Sequence, residues 1–192
     1  MRRWLALILL CGGIALTAKA ALIPAKAALG QQLLQSAWSE SLETGLPVKP
    51  WGWADFTPMA KITAPSLNKS AIALNQASGA AMAWGPGHVT GTAAPGGDGV
   101  TAFGGHRDTH MRFLAHLKPG DPVELETADG QRLRYIVTSG KVVDSRAWRF
   151  QPPGDGPDTL ALTTCWPFDA QTAGPLRFVL YAERAEPQLA MN

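Results

Sequence analysis

Short apolar runs separated by glycine and proline make up the pattern from residue 61 onward. Runs of this length between turn residues predict an all-β domain, and their spacing favours a closed antiparallel barrel or a sandwich. A hairpin turn is expected at Asp129-Gly130, which lies between two alternating runs. The predicted strands are Ala80–Trp84, Gly99–Phe103, Pro122–Thr127, Leu133–Thr138, Lys141–Asp144, Thr159–Thr164 and Leu176–Ala182.

Helical spacing is found mainly before this region. Leucines and a tryptophan recur at that spacing from Leu29 to Leu42, and Gly45 with Pro47 ends the pattern. We expect an amphipathic helix whose apolar stripe packs on the domain, with a membrane or partner surface as the alternative. A short helix is also predicted at Met111–Leu117.

The first residues have the layout of an export signal. An uncharged apolar run at 4–18 follows Arg2 and Arg3. This arrangement is typical of a signal peptide or a short signal anchor. Ala18-Lys19-Ala20 resembles a cleavage site, whereas the apolar residues at 20–25 favour an uncleaved anchor with a single membrane pass.

The pattern divides the chain into four segments. Residues 1–26 form the signal anchor or signal peptide, and 27–60 form the amphipathic helix and an arm rich in tryptophan and proline. Residues 61–185 form the β-domain, and 186–192 form a C-terminal tail. The aromatic side chains of the arm are expected to cover the core rather than to bind a ligand.

Composition excludes several classes of function. The chain has 192 residues, of which 17 are basic and 15 acidic, and it has no basic block of the kind that binds nucleic acid. Cys11 and Cys165 cannot form a disulfide framework, and neither belongs to a zinc-binding pair. We therefore expect no nucleic-acid partner, no metal and no cofactor.

Three residues at predicted strand ends have the chemistry of acyl transfer. Cys165 ends one apolar run, His106 follows Gly104-Gly105 at the end of another, and Arg177 begins the last. An imidazole can exchange the proton of a thiol, and a guanidinium can stabilise the oxyanion of a tetrahedral intermediate. Taken alone, Cys165 is more typical of a buried structural cysteine, and the presence of His106 and Arg177 favours the catalytic interpretation.

The segment after His106 holds further candidates. His110 lies four residues beyond His106, but no third ligand accompanies this pair to make a metal site. Asp108 can orient an imidazole, or it can cap the helix that starts near His110. Arg107 can line a groove or form a surface ion pair. His88 lies in a Gly-Pro loop and is expected to be structural.

Two residues near Cys165 and Arg177 have alternative roles. Thr164 can contact substrate or serve only as a strand residue. Arg184 is a rival to Arg177, and strand alternation does not separate the two because their spacing is odd.

Three motifs in this order resemble the sortase family. They are FGGHRDTH at Phe103–His110, LTTCWPF at Leu162–Phe168 and LRFVLYAER at Leu176–Arg184. The resemblance covers roughly residues 60–185 and is strongest to the exported proteobacterial group. The family signature Thr-Leu-x-Thr-Cys departs here at its first position, which is Ala161.

The resemblance implies an eight-stranded closed β-barrel and a cysteine transpeptidase. It implies Cys165 as nucleophile, His106 as general acid and base, and Arg177 as the group that positions substrate and stabilises the oxyanion. The residues expected to bind substrate are Thr164, Ala161, Trp166 and Asp108, together with the loop at 145–158.

The resemblance also implies the partners and the compartment. The substrate is expected to be an exported protein with a Leu-Pro-x-Thr-Gly-like sorting motif, and the acceptor an amine. The enzyme is expected in the inner membrane with its catalytic domain facing the periplasm. Two rivals are a peptidoglycan cross-linking transpeptidase, whose Ser-x-Gly-Cys-like run is not found here, and a non-enzymatic β-barrel module with Cys165 buried.

Overall fold

The computed structural model describes residues 26, 28–154 and 156–185. The apolar run at 4–18, predicted to be a membrane anchor, and the tail at 186–192 lie outside these residues. Within the described part of the chain, no helix has both the length and the apolar character needed to cross a bilayer.

The predicted amphipathic helix is confirmed as α1, which covers residues 28–44. Its apolar stripe is buried on the domain, with Leu34 and Trp38 only 1% and 2% exposed. A Cβ at Gly30 would overlap the Trp84 ring, so α1 approaches the domain very closely at this point. Gly45 ends the helix with a φ of 68°, the left-handed conformation that glycine adopts without strain.

Eight strands form one closed barrel in the order β1-β2-β3-β4-β7-β8-β6-β5. This confirms the predicted closed barrel and excludes the sandwich. The wholly antiparallel arrangement was wrong, because β2 pairs with β3 and β4 pairs with β7 in parallel. The strands are β1 (Pro58–Ala64), β2 (Lys69–Leu74), β3 (Gly87–His88), β4 (Val100–Gly105), β5 (Pro122–Thr127), β6 (Arg132–Asp144), β7 (Thr159–Cys165) and β8 (Leu176–Arg184).

Two parts of the strand prediction are corrected. The segment predicted as a strand at Ala80–Trp84 is instead helix α2 (Gly79–Met82), because the Ser78 hydroxyl accepts a hydrogen bond from the Ala81 backbone N–H and caps the turn. The two predicted strands at 133–138 and 141–144 are one continuous strand, β6. A register shift between Val137 and Ser139 takes the place of the turn that the prediction required between them. Strands β1, β2 and β3 were not predicted, and His88, expected in a loop, lies in β3.

Short 3-10 helices complete the fold. One, Pro65–Leu67, joins β1 to β2, and the other, Arg112–Ala115, lies within the predicted helix at 111–117. The expected turn at Asp129-Gly130 joins β5 to β6, and Gly130 has a φ of 82°.

Strand β7 is covered on both of its faces. Leu160 and Leu162 point into the barrel and belong to its main core. Ala161 lies on the outer face in a second cluster, against which Trp148 and Phe150 of the β6–β7 loop pack. Because side chains alternate along a strand, Thr163 and Cys165 share the outer face with Ala161. Cys165 therefore lies on the outside of the barrel, on the face of β7 against which the β6–β7 loop packs.

Candidate active site

Cys165 and Arg177 are direct neighbours across two antiparallel strands. They are register partners at the end of β7 and the start of β8. Directly opposite residues of such a pair project from the same face, with Cβ atoms about 5 Å apart. The thiol and the guanidinium therefore extend from one patch of the outer barrel surface.

His106 reaches the same patch from β4. The parallel register pairs Gly104 with Thr163 and Gly105 with Thr164. His106 directly follows the last paired residue of β4, and Cys165 directly follows its partner Thr164, so the two main-chain positions are neighbours. His106 is exposed and Cys165 is half-buried, so both are open to a ligand. The barrel thus brings together the three residues that the sequence singled out.

Arg177 is held against the main chain near its own strand end. Its Nη1 donates to the carbonyl oxygens of Gly174 at 2.6 Å and Leu176 at 2.9 Å. Asp144 is close by: hydrogen bonds from Arg146, with a smaller contribution from the Arg177 charge, lower the pKa of Asp144 to about 2. Among the described contacts, both Arg177 hydrogen bonds use one nitrogen, which leaves Nε and Nη2 to donate to a ligand.

Two residues expected to bind substrate are buried instead. Thr164 is 2% exposed, and its hydroxyl donates to the Gly105 carbonyl at 2.7 Å. The Thr164 side chain therefore points into the barrel and fastens β7 to β4, and its hydroxyl is turned away from the outer face. Ala161 has no exposed surface and belongs to the cluster on which Trp148 packs. The roles of Thr164 and Ala161 in substrate binding stay predictions.

Trp166 and Asp108 remain accessible. Trp166 follows Cys165 directly, and its ring contacts those of Phe168 and Phe178 with centroid distances of 5.4 and 5.9 Å. Asp108 is exposed in the turn after His106. It does not cap the following helix, which begins after Met111 without a side-chain cap. The predicted roles of Trp166 and Asp108 in substrate binding stay predictions.

Arg107 forms the contact that the sequence least predicted. Its guanidinium donates to the carbonyl oxygens of Pro167 and Thr172, each at 3.0 Å, and to that of Ala170. It therefore neither forms the predicted surface ion pair nor merely lines a groove. Arg107 joins the turn that carries His106 to the β7–β8 loop, the segment between Cys165 and Arg177. No sequence pattern marks these partners, because all three are backbone carbonyls more than 50 positions away.

A cleft of about 330 Å³ lies beside Arg177. The β6–β7 loop, predicted as a binding loop, supplies part of its wall, and the segment after β3 supplies another part that the sequence did not indicate. Trp148 packs edge-to-face on Phe150 at 4.5 Å, and the Lys141 ammonium lies 5.3 Å from the Trp148 ring centre. The lining residues are Val89, Thr90, Gly91, Thr92, Ser145, Trp148, Arg149, Phe150, Thr163 and Arg177.

The structure excludes the rival of Arg177. Arg184 lies at the far end of β8, where it pairs with Asp158 at 3.6 Å and lies 5.5 Å from the Tyr135 ring. The Tyr135 hydroxyl donates to Asp158 at 2.9 Å. Burial raises the pKa of the Asp158 carboxyl. This cluster is structural and lies seven residues along β8 from Arg177.

The remaining histidines do not join the three-residue site. Nε2 of His88 lies 2.9 Å from the Ala93 carbonyl oxygen, which fits its predicted structural role. His110 is half-buried, and this desolvation lowers its pKa. Among the described residues, no group of three side chains is arranged to hold a metal ion.

Comparison with known proteins identifies relatives over the barrel. Residues 62–185, more than half of the chain, match the family model of the sortase domain. Sortase D from Bacillus subtilis is 31% identical over 100 residues, which are 52% of this chain and 50% of that protein. The match thus spans about half the length of this curated relative.

Solved structures share the same architecture. Sortase C-1 from Actinomyces oris is 28% identical over a match that covers 67% of this chain and 75% of that one, with a TM-score of 0.57. Sortase A from Corynebacterium diphtheriae is 19% identical, covers 85% and 87% of the two chains and has a TM-score of 0.62. The second likeness shows the fold alone, and it agrees with the eight-stranded barrel that the sequence motifs implied.

Proposed function

The chain belongs to the sortase family, and from this membership we propose that it is a cysteine transpeptidase with Cys165 as nucleophile. The observation that carries the proposal is the register of β7 and β8, which makes Cys165 and Arg177 direct partners. His106 completes the group from the end of β4. Acyl transfer through a thioester requires three chemical functions, and each of them comes from a different strand end.

The first half of the reaction makes a thioester. The Cys165 thiolate attacks a backbone carbonyl carbon of the substrate, and the carbonyl oxygen becomes an oxyanion. The Nε and Nη2 atoms of Arg177 donate to this oxyanion and stabilise it. The carbon–nitrogen bond then breaks as imidazolium His106 protonates the departing amine. The acyl group remains on sulfur.

The second half transfers the acyl group. His106 takes a proton from an acceptor amine, and the amine nitrogen attacks the thioester carbonyl. A new amide bond forms, and the carbon–sulfur bond breaks to release the Cys165 thiolate. Water attacks in the same way and gives hydrolysis.

The substrate of this reaction is an exported protein with a Leu-Pro-x-Thr-Gly-like motif. The cleft beside Arg177 supports an extended peptide as substrate, because it combines an apolar wall at Trp148 and Phe150 with the Arg177 side chain. A single-pass anchor in the inner membrane, formed by the apolar run at 4–18, would leave the barrel in the periplasm with such substrates. A reporter fused after residue 192 that is active only in the cytoplasm would contradict this location.

The test is mass spectrometry of the full-length protein with a library of such peptides and a small amine. We expect a thioester adduct on Cys165 followed by an amide product, and neither with Cys165→Ala. Arg177→Lys should lose nearly as much activity as Arg177→Ala, because a point charge does not replace a guanidinium fork. The matched control is Arg146→Lys, whose side chain is 75% exposed.

The same variants separate the enzyme from a non-enzymatic module. Cys165 is only partly buried, which argues against an inert, fully buried thiol. We expect rapid alkylation of this thiol near neutral pH that slows in His106→Ala. A thiol that reacts only after unfolding, together with no adduct from any peptide, would refute the transpeptidase.

A further inference from the structure

A second cleft, of about 580 Å³, begins at the turn that follows His106. Its walls are the start of β2 with the 3-10 helix before it, and the segment at 109–116. It shares no lining residue with the cleft beside Arg177. The lining residues are Leu67, Lys69, Ser70, Thr109, His110, Arg112, Phe113 and His116.

The charge of this second cleft has one sign. Lys69 and Arg112 are both exposed, and the lining includes no aspartate or glutamate. The ion pairs found within the described residues join other side chains, so neither cation is neutralised by one of them. The imidazole of His116 adds a further donor, whereas the ring of His110 is hydrogen-bonded to the Ala83 backbone. An anion is therefore the ligand that this lining favours.

The second cleft is coupled to the proposed catalytic base through a short turn. The backbone N–H of Met111 donates to the His106 carbonyl at 3.1 Å, which closes the turn over Thr109. Burial is the main cause of the lowered pKa of His110, and the nearby His106 charge adds a smaller contribution in the same direction. A ligand held against Thr109 and His110 thus contacts the same turn that begins at His106.

We propose that this second cleft binds the amine acceptor, and that the acceptor carries an anionic group, a carboxylate or a phosphate, held by Lys69 and Arg112. The proposal rests on the proposed function and adds the class of acceptor. The anion is held at the cleft while the amine extends to His106, which takes its proton. The amine nitrogen then bonds to the thioester carbon, and sulfur leaves as the Cys165 thiolate. The sorting peptide and the acceptor accordingly occupy separate clefts.

The test uses matched acceptors that differ in one anionic group. Full-length protein is given a saturating sorting peptide and either phosphoethanolamine or ethanolamine, and either diglycine or diglycinamide. We expect a KM about tenfold lower for the anionic member of a pair, and a difference that shrinks as salt rises. A preference for phosphoethanolamine alone assigns a phosphate as the anionic group of the acceptor. A preference for diglycine alone assigns a carboxylate.

Charge-matched variants locate the effect. Lys69→Gln with Arg112→Gln should abolish the preference and leave the KM of the sorting peptide and the rate of thioester hydrolysis unchanged. The control, Lys49→Gln with Arg132→Gln, removes the same net charge from exposed residues outside the second cleft and should retain the preference. Because all four side chains are exposed, thermal melting of both variants should match the wild type.

The outcomes separate this inference from the function on which it rests. A normal thioester with equal KM values for charged and neutral acceptors overturns the anionic acceptor alone. Equal loss of preference in the two double variants also overturns it, since the effect would then come from net charge. Failure to form any thioester overturns the transpeptidase and this inference together.

Discussion

Arg107 offers the sharpest check on how the site is assembled. Its guanidinium reaches three carbonyl oxygens of the β7–β8 loop, those of Pro167, Ala170 and Thr172. The residue before it is His106, and the loop lies between Cys165 and Arg177. Replacement by methionine keeps an apolar stem of similar length and removes every one of these hydrogen bonds.

The size of the effect follows from the hydrogen bonds. A hydrogen bond with a charged partner contributes about 1.5–3 kcal/mol when it is buried. Arg107 is half-buried, so water replaces part of what is lost. We expect Arg107→Met to lower the free energy of unfolding by about 1–3 kcal/mol in total. Arg107→Lys should recover only part of this, because an ammonium lacks the planar fork that serves several acceptors.

The effect on catalysis should exceed the effect on stability. A shift of about 1 Å between reacting groups can cost about a hundredfold in rate. We expect kcat to fall by about that factor in Arg107→Met at a temperature where the variant is fully folded, with a small change in the KM of the peptide. Urea denaturation gives the stability, and steady-state transfer gives kcat and KM.

A matched control and a clear contrary result complete this prediction. Arg132→Met removes an arginine whose side chain is 84% exposed, and it should change stability by less than about 0.5 kcal/mol. Wild-type kcat in Arg107→Met would refute the positioning of His106 by this residue. Wild-type stability in the same variant would refute the hydrogen bonds themselves.

Two further predictions concern buried polar groups. Thr164→Val should destabilise the barrel by about 1–2 kcal/mol in urea, because the partly buried Gly105 carbonyl loses its donor. Thr164→Ser should retain most of the stability, and the KM of the peptide should stay unchanged in both variants. A raised KM in a stable Thr164 variant would contradict a purely structural role and support the predicted substrate contact. The pKa of His110 is lower in the folded protein than in the unfolded chain, so the folded protein binds a proton at this imidazole less tightly. The contribution of neutral His110 to the free energy of unfolding is therefore complete above pH 6.5, the unfolded pKa, and is lost as the pH falls through the folded pKa. Free energies of unfolding measured below pH 6.5 should decline toward acid in the wild type and should decline less in His110→Gln. Parallel pH curves for the two proteins would contradict the role of His110 in this pH dependence.

The spacing of apolar residues was enough to predict the helices and strands that bury only one of their faces. The helix at 28–44 was predicted because its apolar positions recur on one side and glycine follows its last turn. Strand β5 was predicted at its observed bounds for a similar reason, since its side chains alternate between the core and water. Strands β1 and β2 were missed, although β1 alternates well, because small and polar residues dilute the apolar signal there.

The candidate site was predicted from motifs, whereas its assembly was not. His106 and Cys165 are 59 residues apart in the chain, and only the parallel pairing of β4 with β7 makes them neighbours. Parallel pairing needs a long crossover, which no local pattern encodes. The choice of Arg177 over Arg184 likewise follows from the register of β7 with β8.

The sequence by itself determined which residues are the candidates for the chemistry: a thiol, an imidazole and a guanidinium at predicted strand ends. The tertiary structure decided in which direction the side chains next to these residues point. Thr164 points inward and Cys165 outward because a strand alternates, and the phase of that alternation is set by the barrel core. Arg107 finds its partners only after the β7–β8 loop is folded, because its acceptors are backbone carbonyls that every residue carries, so no side-chain pattern could mark them.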